Sequence, residues 1–295
     1  MKFQRLALIG CGLMGGSFAL ALRAAGAVDQ VAGFSASQST RQRALALGVI
    51  DTACTSVAEA VQGADLVLLA VPVGAMFACL QALQPALTAD ALLMDVGSTK
   101  GDVVAAARAT LGERLPCFVP AHPIAGKEVA GVEHADVQLY CQRRTILTPL
   151  PETGATQLQA AQAVWQAVGS HVTSMSPEQH DTVFAAVSHL PHMLAFAAIN
   201  GLTAQPQGEL FLQMAGPGFR DFTRIAASDS AVWRDILHAN PVPVLVQLQH
   251  FRQALDQFES ALTQGDAARL QQLIAQASTV RAAWTLQTGS QTESA

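Results

Sequence analysis

The chain has 295 residues, more than one hydrophobic core usually serves, so two domains are expected. Apolar residues make up 51% of it and charged residues only 13%, which predicts a large buried core and a buried subunit interface. A formal net charge of −5 argues against nucleic acid or an anionic membrane as a partner.

The amino terminus resembles a signal peptide in its apolar character, but glycines at dinucleotide-binding spacing interrupt the run. We therefore interpret it as the first strand and helix of a folded domain, and we expect no transmembrane helix. The five cysteines are widely spaced and contain no C-x-x-C pair. Such usage is typical of free thiols in a reducing compartment, so a cytoplasmic protein is expected.

Short apolar runs alternate with helical patterns up to about residue 175. The runs are RLALIG, QVAGFS, DLVLLAVP, ALLMDVGS, CFVPAHP and RRTILTPL. This alternation predicts βαβ units and a parallel sheet, that is, an α/β Rossmann-type domain over residues 1–175. Ligands bind beyond the carboxyl ends of such strands. Four candidate residues lie at these ends: Gly10, Pro72, Ser98 and His122.

A glycine motif follows the first strand and opens the first helix. Gly10, Gly12 and Gly15 have the G-x-G-x-x-G spacing in the strand-to-helix context that this motif requires. The first glycine makes the turn, the second lets a pyrophosphate approach, and the third lets helix and strand pack closely. We expect a dinucleotide here, with further contacts from Leu13, Met14, Val71 and Pro72.

The end of the second strand predicts which dinucleotide is bound. An NAD site usually has an acidic residue there to bind the ribose hydroxyls. This strand ends instead in Ser35, Ala36 and Ser37, with Arg41 close behind. Hydroxyl groups and a guanidinium suit a 2′-phosphate. The sequence therefore favours NADP over NAD, unless the arginine only faces solvent.

The stretch PAHPIAGKEVAG holds His122 among prolines and glycines, which predicts a shaped loop. An enzyme that oxidises an alcohol with a nicotinamide needs a group to accept the hydroxyl proton, and histidine has a suitable pKa. His122 is the candidate base. Ser98, in DVGSTKG after a neighbouring strand, is a candidate to bind the same hydroxyl or to orient the imidazole.

From Ser176 onward the pattern is helical, which predicts a second domain over residues 176–286 and a disordered tail over 287–295. Apolar residues recur at intervals of three and four near the end, and Gly265 and Asp266 divide them into two stripes. Stripes of this kind are typical of a core or a subunit contact, so a homodimer is expected. The stripes contain Leu248, Phe251, Leu255, Phe258 and Leu262, then Leu270, Leu273, Ile274 and Ala277.

Several motifs in this order resemble the prephenate/arogenate (cyclohexadienyl) dehydrogenases of tyrosine biosynthesis. They are LIGCGLMGGS, DVGSTKG, HPIAGKEVAG, SHLPH and GFRDFTRIAASDSAVWRDI, and the resemblance runs from about residue 5 to 285. It implies a Rossmann-type domain, a helical dimerisation domain and an active site between them. It also implies oxidative decarboxylation of prephenate or arogenate. Because the first strand and the glycine motif begin almost at Met1, we expect no fused chorismate mutase segment.

The resemblance assigns roles to individual residues. His122 matches the catalytic histidine and Ser98 a serine that binds near the substrate hydroxyl, whereas Arg224 matches an arginine for the substrate carboxylate. A guanidinium suits a carboxylate because it presents a planar pair of donors. Further matches are His189 and His192 in the pocket, Glu128 near its entrance and Trp233. The two histidines lie three apart, but no third ligand suggests a metal.

Two other classes remain open. One is a β-hydroxyacid dehydrogenase with the same cofactor domain; these generally use a lysine of the helical domain, and the chain has no lysine after Lys127. The other is a regulator that binds NADP without turnover, which does not need His122, Ser98 and Arg224 together. Both prephenate and arogenate remain open as substrates, as does feedback inhibition by tyrosine.

Replacing Ser35 with Asp is expected to shift cofactor preference from NADP toward NAD, because a carboxylate repels a 2′-phosphate and accepts from ribose hydroxyls. The measurement is kcat/KM for each cofactor in the wild type and in Ser35→Asp. An unchanged ratio would count against an NADP site at this strand end.

Overall fold

The computed structural model describes residues 2–127 and 129–285 and has two domains, of which the first is built on a parallel sheet. The sheet has the order β3-β2-β1-β4-β5-β6, with every neighbouring pair parallel. This is the Rossmann strand order, and the prediction of an α/β dinucleotide-binding fold is confirmed. The strands are β1 (Phe3–Ile9), β2 (Val28–Phe34), β3 (Thr52–Ala53), β4 (Leu66–Leu69), β5 (Leu92–Asp95) and β6 (Phe118–Val119).

Helices cover both faces of this sheet and bury its apolar strands in two clusters. Burial on both faces explains why the strands are continuous apolar runs. One cluster centres on Phe18, Tyr140 and Trp165, whose rings meet edge to face with centroids 5.0–6.3 Å apart. The helices are α1 (Leu13–Ala24), α2 (Gln38–Ala46), α3 (Val57–Val61), α4 (Met76–Leu83), α5 (Gly101–Thr110) and α6 (Ala155–Ala167).

A second, three-stranded sheet follows, and it corrects the prediction for the His122 segment. His122 lies in strand β7 (Ala121–Pro123) and not in a loop; β7 pairs antiparallel with β8 (Arg144–Leu147), which pairs parallel with β9 (His171–Ser174). The RRTILTPL run therefore forms β8 of this second sheet and does not extend the first. Pro120 lies between β6 and β7. Since proline has no N–H to donate, it ends the first ladder and lets the chain change sheets.

The second domain is all helical, as predicted. Ser176 caps its first helix by accepting from the backbone N–H of Gln179, and Asp266 caps the last by accepting from the N–H of Arg269. The helices are α7 (Pro177–Phe184), α8 (Leu190–Thr203), α9 (Gly208–Gln213), α10 (Pro217–Thr223), α11 (Ser230–Ala239), α12 (Pro241–Thr263) and α13 (Ala267–Ala283). A π-helical turn, Ala185–His189, joins α7 to α8. The predicted tail, residues 287–295, lies outside the described residues.

Helix α11 joins the two domains. Ile236 is buried in one of the two clusters of the sheet domain, and Trp233 packs against the same cluster. The helix also contacts the turn after β4, where the side chain of Asp235 lies against Gly74. The helical domain is thus packed directly beside the carboxyl ends of the strands.

The apolar stripes of α12 and α13 are largely uncovered in a single chain. Leu255, Leu262 and Ile274 are 50%, 66% and 57% exposed. Exposed apolar area of this extent usually marks an interaction surface. The stripes therefore fit a subunit contact better than an internal core.

The continuous helical segment Pro177–Thr203 is long and apolar enough to cross a membrane, by length and composition only. Core helices of globular proteins can have the same length and apolar composition. This segment carries His180 and Asp181, which are buried and make polar contacts with the first domain. We interpret it as a core helix of the helical domain.

Truncating Trp165 to Ala is expected to lower the free energy of unfolding by about 3–5 kcal/mol, because it empties a fully buried site between Phe18 and Tyr140. Trp165→Phe should cost less, since it keeps a ring and removes an indole N–H that has no partner among the described residues. Urea unfolding of both variants measures this. Equal losses would contradict the packing described.

Candidate active site

A buried ion pair organises the point where the chain leaves the first sheet. Asp95 ends β5, and its carboxylate accepts from the Nζ of Lys100 at 2.5 Å, with both side chains fully buried. Lys100 also donates to the carbonyl of Ala121, and the N–H of Ala121 donates to Asp95 at 3.0 Å. Both backbone groups of Ala121 are therefore satisfied by this pair. The pair fixes the residue that precedes His122.

The imidazole of His122 begins a chain of three side chains. Its Nδ1 lies 2.8 Å from Nε2 of His180, and Nδ1 of His180 lies 2.8 Å from Oδ1 of Asp181. The rings of His122 and Phe184 also meet edge to face, with centroids 4.8 Å apart. His122 is only partly buried, whereas His180 and Asp181 are buried. His122, the candidate from the sequence, is thus the partly exposed end of this hydrogen-bond chain.

Asp181 is the last residue of this hydrogen-bond chain, and it contacts the first domain. Its two carboxylate oxygens accept from the backbone N–H groups of Lys100 at 2.8 Å and Gly101 at 2.7 Å, at the start of α5. Asn240 donates to its backbone carbonyl. Asp181 thereby ties the helical domain to the loop that also carries Ser98.

The surroundings favour a neutral His122. Burial lowers the pKa of His122 well below its ordinary value, and the neighbouring His180, Lys100 and His189 lower it further. Burial likewise lowers the pKa of His180, against the opposing effect of Asp181. Burial alone would raise the pKa of Asp181, but hydrogen bonds from His180 and from the two backbone N–H groups hold it below its ordinary value. At neutral pH the arrangement is a neutral imidazole pair on a carboxylate.

Ser98 lies in the turn after β5 and is partly exposed. Within the described residues its hydroxyl makes no hydrogen bond to His122, and the Nδ1 of that ring is taken by His180. The suggestion that Ser98 orients the imidazole is therefore not supported in this arrangement. Its binding to a substrate hydroxyl stays a prediction.

His189, His192 and Trp233 lie together beside this cluster. The ring of His192 stacks on that of Trp233, with centroids 3.6 Å apart, and its Nδ1 hydrogen-bonds the carbonyl of Ser188. His189 is buried, its Nδ1 lies 3.1 Å from Nδ2 of Asn240, and burial lowers its pKa to about 4. The rings of both histidines lie near Trp233, with centroid distances of 6.3 Å for His189 and 3.6 Å for His192. No group of metal-binding side chains exists among the described residues.

A cavity of about 280 Å³ adjoins Trp233 and lies between α8 and α11. The turn Arg224–Ala227 packs on α8 near it, and the side chain of Arg224 is exposed. Glu128 lies outside the described residues. The structure thus brings His122, His189, His192 and Trp233 into one region, with Arg224 on a neighbouring turn.

The glycine loop has the shape that a pyrophosphate requires. Gly10 has φ +101°, and a Cβ there would lie 2.2 Å from the carbonyl oxygen of Ala70. A Cβ on Gly15 would lie 2.1 Å from the carbonyl oxygen of Gly10, whereas one on Gly12 would meet nothing within 4 Å. Gly12 faces open space at the start of α1, whose first residues are Leu13 and Met14. A dinucleotide phosphate fits this open space, where the backbone N–H groups at the start of α1 can bind it.

The end of β2 is polar and lacks a carboxylate. Ser35 is already engaged, because its hydroxyl accepts from the N–H of Cys11 at 2.8 Å and holds the glycine loop. Ser37 caps α2, and its hydroxyl lies 2.7 Å from that of Ser39. Arg41 donates to the carbonyl groups of Ser35 and Ala36 and lies over the ring of Phe34. The arginine therefore faces this strand end and is not simply solvated.

Sequence reasoning missed four members of the site: Asp95, Lys100, His180 and Asn240. Asp95 and Lys100 lie within DVGSTKG, but a lysine in a glycine-containing turn normally suggests an exposed charge. His180 and Asp181 adjoin in the sequence, yet their partners His122 and Lys100 lie 58 and 81 residues away. Asp181 pairs with backbone N–H groups and His180.

Comparisons with known proteins cover nearly the whole chain. The family model described as "Prephenate dehydrogenase, nucleotide-binding domain" matches residues 18–174, and "Prephenate dehydrogenase, dimerization domain" matches residues 176–276. A cyclohexadienyl dehydrogenase from Zymomonas mobilis is 37% identical over 269 residues, 90% of either chain.

Solved structures of the same family are also similar to this chain. A prephenate dehydrogenase from Aquifex aeolicus, in complex with hydroxyphenyl propionate and NAD+, is 37% identical with a TM-score of 0.90, over 95% of this chain and 98% of that one. An arogenate dehydrogenase from Synechocystis is 27% identical with a TM-score of 0.81, over 96% of this chain and 100% of that one.

Two glycine variants separate packing from cofactor binding. Gly15→Ala is expected to destabilise the protein, because the added Cβ overlaps the carbonyl oxygen of Gly10. Gly12→Ala should melt near the wild-type temperature but bind the dinucleotide more weakly, because its Cβ enters the open space. Thermal melting and cofactor titration by fluorescence distinguish the two. Normal cofactor affinity in Gly12→Ala would contradict this location of the pyrophosphate.

Proposed function

Because the chain belongs to the prephenate dehydrogenase family, we propose that it oxidises and decarboxylates prephenate to 4-hydroxyphenylpyruvate, with His122 as the base. The family assignment makes it an NAD(P)-binding oxidoreductase. The single observation that supports the role of His122 is its position. It is a partly exposed imidazole at the carboxyl end of the sheet, on the side of the glycine loop, held through Nδ1 by a buried partner.

The chemistry needs one proton acceptor and one hydride acceptor. Prephenate is a cyclohexadiene with a ring carboxylate and, across the ring, a hydroxyl. His122 is neutral at working pH and takes the hydroxyl proton as the C–H bond at the same carbon breaks. The nicotinamide, when bound, accepts that hydride. The carboxylate then leaves as carbon dioxide, and its bonding electrons complete the aromatic ring and pass to the ring oxygen. That oxygen takes the proton back from His122 to give the phenol.

The remaining side chains bind and orient the substrate in this proposal. Arg224 pairs with a substrate carboxylate, because a guanidinium stays charged and offers two parallel donors. His192, stacked on Trp233, and the neighbouring His189 form one wall of the pocket. Ser98 and Glu128 complete the proposed set, as donor to the hydroxyl and as acid near the entrance.

The relatives include enzymes named for prephenate, arogenate and cyclohexadienyl substrates. Prephenate carries a side-chain ketone where arogenate carries an ammonium. An arogenate dehydrogenase that forms tyrosine directly is therefore the alternative. Another β-hydroxyacid dehydrogenase is disfavoured, since the helical domain contains no lysine.

We propose NADP as the preferred cofactor. The support is the absence of an acidic side chain at the end of β2, together with Ser37, the start of α2 and Arg41 at that position. Asp29, the acidic residue of β2, lies at the opposite end of the strand and pairs with Lys2. A 2′-phosphate would draw Arg41 from its backbone partners. The Aquifex relative was solved with NAD+, so relatives do not decide the preference.

The organisation of the protein follows from the same assignment. We propose a homodimer that associates through the exposed stripes of α12 and α13, most of which lie in the matched dimerization domain. We propose a domain boundary at residues 175/176, between β9 and α7. A cytoplasmic location suits five free cysteines and a small, charged substrate.

The proposal predicts that prephenate and NADP yield NADPH and carbon dioxide, with arogenate as the alternative substrate. His122→Asn should lower kcat by about two to four decades, the usual cost of losing a positioned base. Initial rates with both substrates and both cofactors measure this, with the exposed His250→Asn as control. No reduction of either cofactor with either substrate would refute the function. A fully active His122→Asn would refute the base.

A further inference from the structure

We propose that His180 is a positioning residue that, together with Asp181, keeps the proton of His122 on Nδ1 and so leaves Nε2 free to accept the substrate proton. This inference rests on the proposed role of His122 as the base. The motivating observation is the unbroken chain from His122 through His180 to Asp181, with 2.8 Å at each step.

Asp181 determines which atom is the donor at each step of this hydrogen-bond chain. An ionised carboxylate only accepts hydrogen bonds. Asp181 accepts from the backbone N–H groups of Lys100 and Gly101, which are donors in every protonation state. Its third partner, Nδ1 of His180, must therefore carry a hydrogen as well. The identity of the donor at this step follows from the carboxylate alone.

The second step follows from the neutrality of His180. A neutral imidazole has one protonated nitrogen and one acceptor nitrogen. With the hydrogen on Nδ1, the Nε2 of His180 is an acceptor. His180 is fully buried, and burial opposes a second proton. The 2.8 Å contact to His122 is therefore an N–H donated by Nδ1 of His122.

This arrangement determines the state of the other ring nitrogen of His122, Nε2. Because Nδ1 holds the single hydrogen, Nε2 carries the lone pair. Within the described residues Nε2 has no protein partner, and it is not among the buried unpaired atoms, so solvent reaches it. An imidazole without a partner at Nδ1 would divide its hydrogen between the two nitrogens. The fraction with the hydrogen on Nε2 could not act as a base.

The same chain suits the state formed after proton transfer. When Nε2 gains the substrate proton, Nδ1 still donates to His180 and His180 still donates to Asp181. No hydrogen bond has to reverse, and the new positive charge lies two hydrogen bonds from a buried carboxylate. Preorganised contacts of this kind stabilise developing charge without reorganisation. The proton is not passed on to His180 in this scheme, as in catalytic triads with an orienting acid.

The chain also makes the base depend on domain docking. His122, Lys100 and Gly101 belong to the first domain, whereas His180 and Asp181 belong to the helical domain. The tautomer of the base is thus set only where the two domains meet.

Two substitutions at position 180 separate positioning from packing. Phenylalanine keeps an aromatic ring against Phe184 but has neither donor nor acceptor. Glutamine loses the ring but keeps one donor and one acceptor in its amide, as a neutral imidazole has. If His180 acts through hydrogen bonds, His180→Phe should lower kcat by about 10- to 100-fold, less than complete loss of the base, with KM for both substrates within about twofold. His180→Gln should recover most of kcat.

A purely structural role predicts the opposite order, with Phe better than Gln, and that order would overturn the inference. Full wild-type activity in His180→Phe would overturn it too. The test is applied to the intact enzyme, after thermal melting has compared the fold of each variant. An inactive His122→Asn beside a fully active His180→Phe would reject positioning while keeping the base. An active His122→Asn would reject the proposed function itself.

The tautomer can also be read without any variant at position 180. Two-bond ¹H–¹⁵N correlation spectra of the ¹⁵N-histidine-labelled enzyme distinguish a protonated Nδ1 from a protonated Nε2, and the signal missing in His122→Asn assigns the residue. The inference predicts hydrogen on Nδ1 of His122 at neutral pH. A signal with hydrogen on Nε2, or an even mixture, would overturn it.

Discussion

The architecture of the site depends on the carboxylate of Asp181. It accepts two backbone N–H groups at the start of α5 and the side chain of His180, so one ionised group joins both domains and the candidate base. Buried carboxylates are costly unless hydrogen bonds compensate them, and this one has three such contacts. Removing the charge would leave the donors of α5 and His180 without their acceptor. The docking of the two domains and the protonation state of His122 therefore depend on the same carboxylate.

A second buried charge pair performs a different task in the same region. Asp95 and Lys100 satisfy the backbone of Ala121 at the position where the chain passes from one sheet to the other. Paired burial of this kind contributes little net stability but gives a specific geometry. Here the geometry is the path of β7, which carries His122. The Asp95–Lys100 pair fixes the backbone before His122, and the hydrogen-bond chain to Asp181 fixes the ring of this candidate base.

Local patterns predicted much of this fold, and long-range contacts account for what they missed. The Rossmann sheet follows from apolar runs alternating with helices, and the glycine loop from spacing within six residues. The position of His122 at a strand end also made it a candidate from the sequence. His180 was not found, because its partner is 58 residues away and a histidine on a helix has ordinary explanations. The strand around His122 was predicted as a loop, since its ladder partner β8 comes more than 20 residues later. The hydrogen bond from the backbone N–H of Cys11 to the hydroxyl of Ser35 was also not foreseen, and a contact between Ser35 and the cofactor stays a prediction.

We propose that Nε2 of His122 is the proton acceptor of the reaction, and a crystal structure of the complex with NADP and 4-hydroxyphenylpyruvate tests this most directly. The distance to measure joins His122 Nε2 and the phenol oxygen, which derives from the substrate hydroxyl. We expect a hydrogen bond between these two atoms, with a length of about 2.6–3.2 Å. A phenol oxygen bound by another side chain, with the imidazole beyond hydrogen-bond reach, would contradict it.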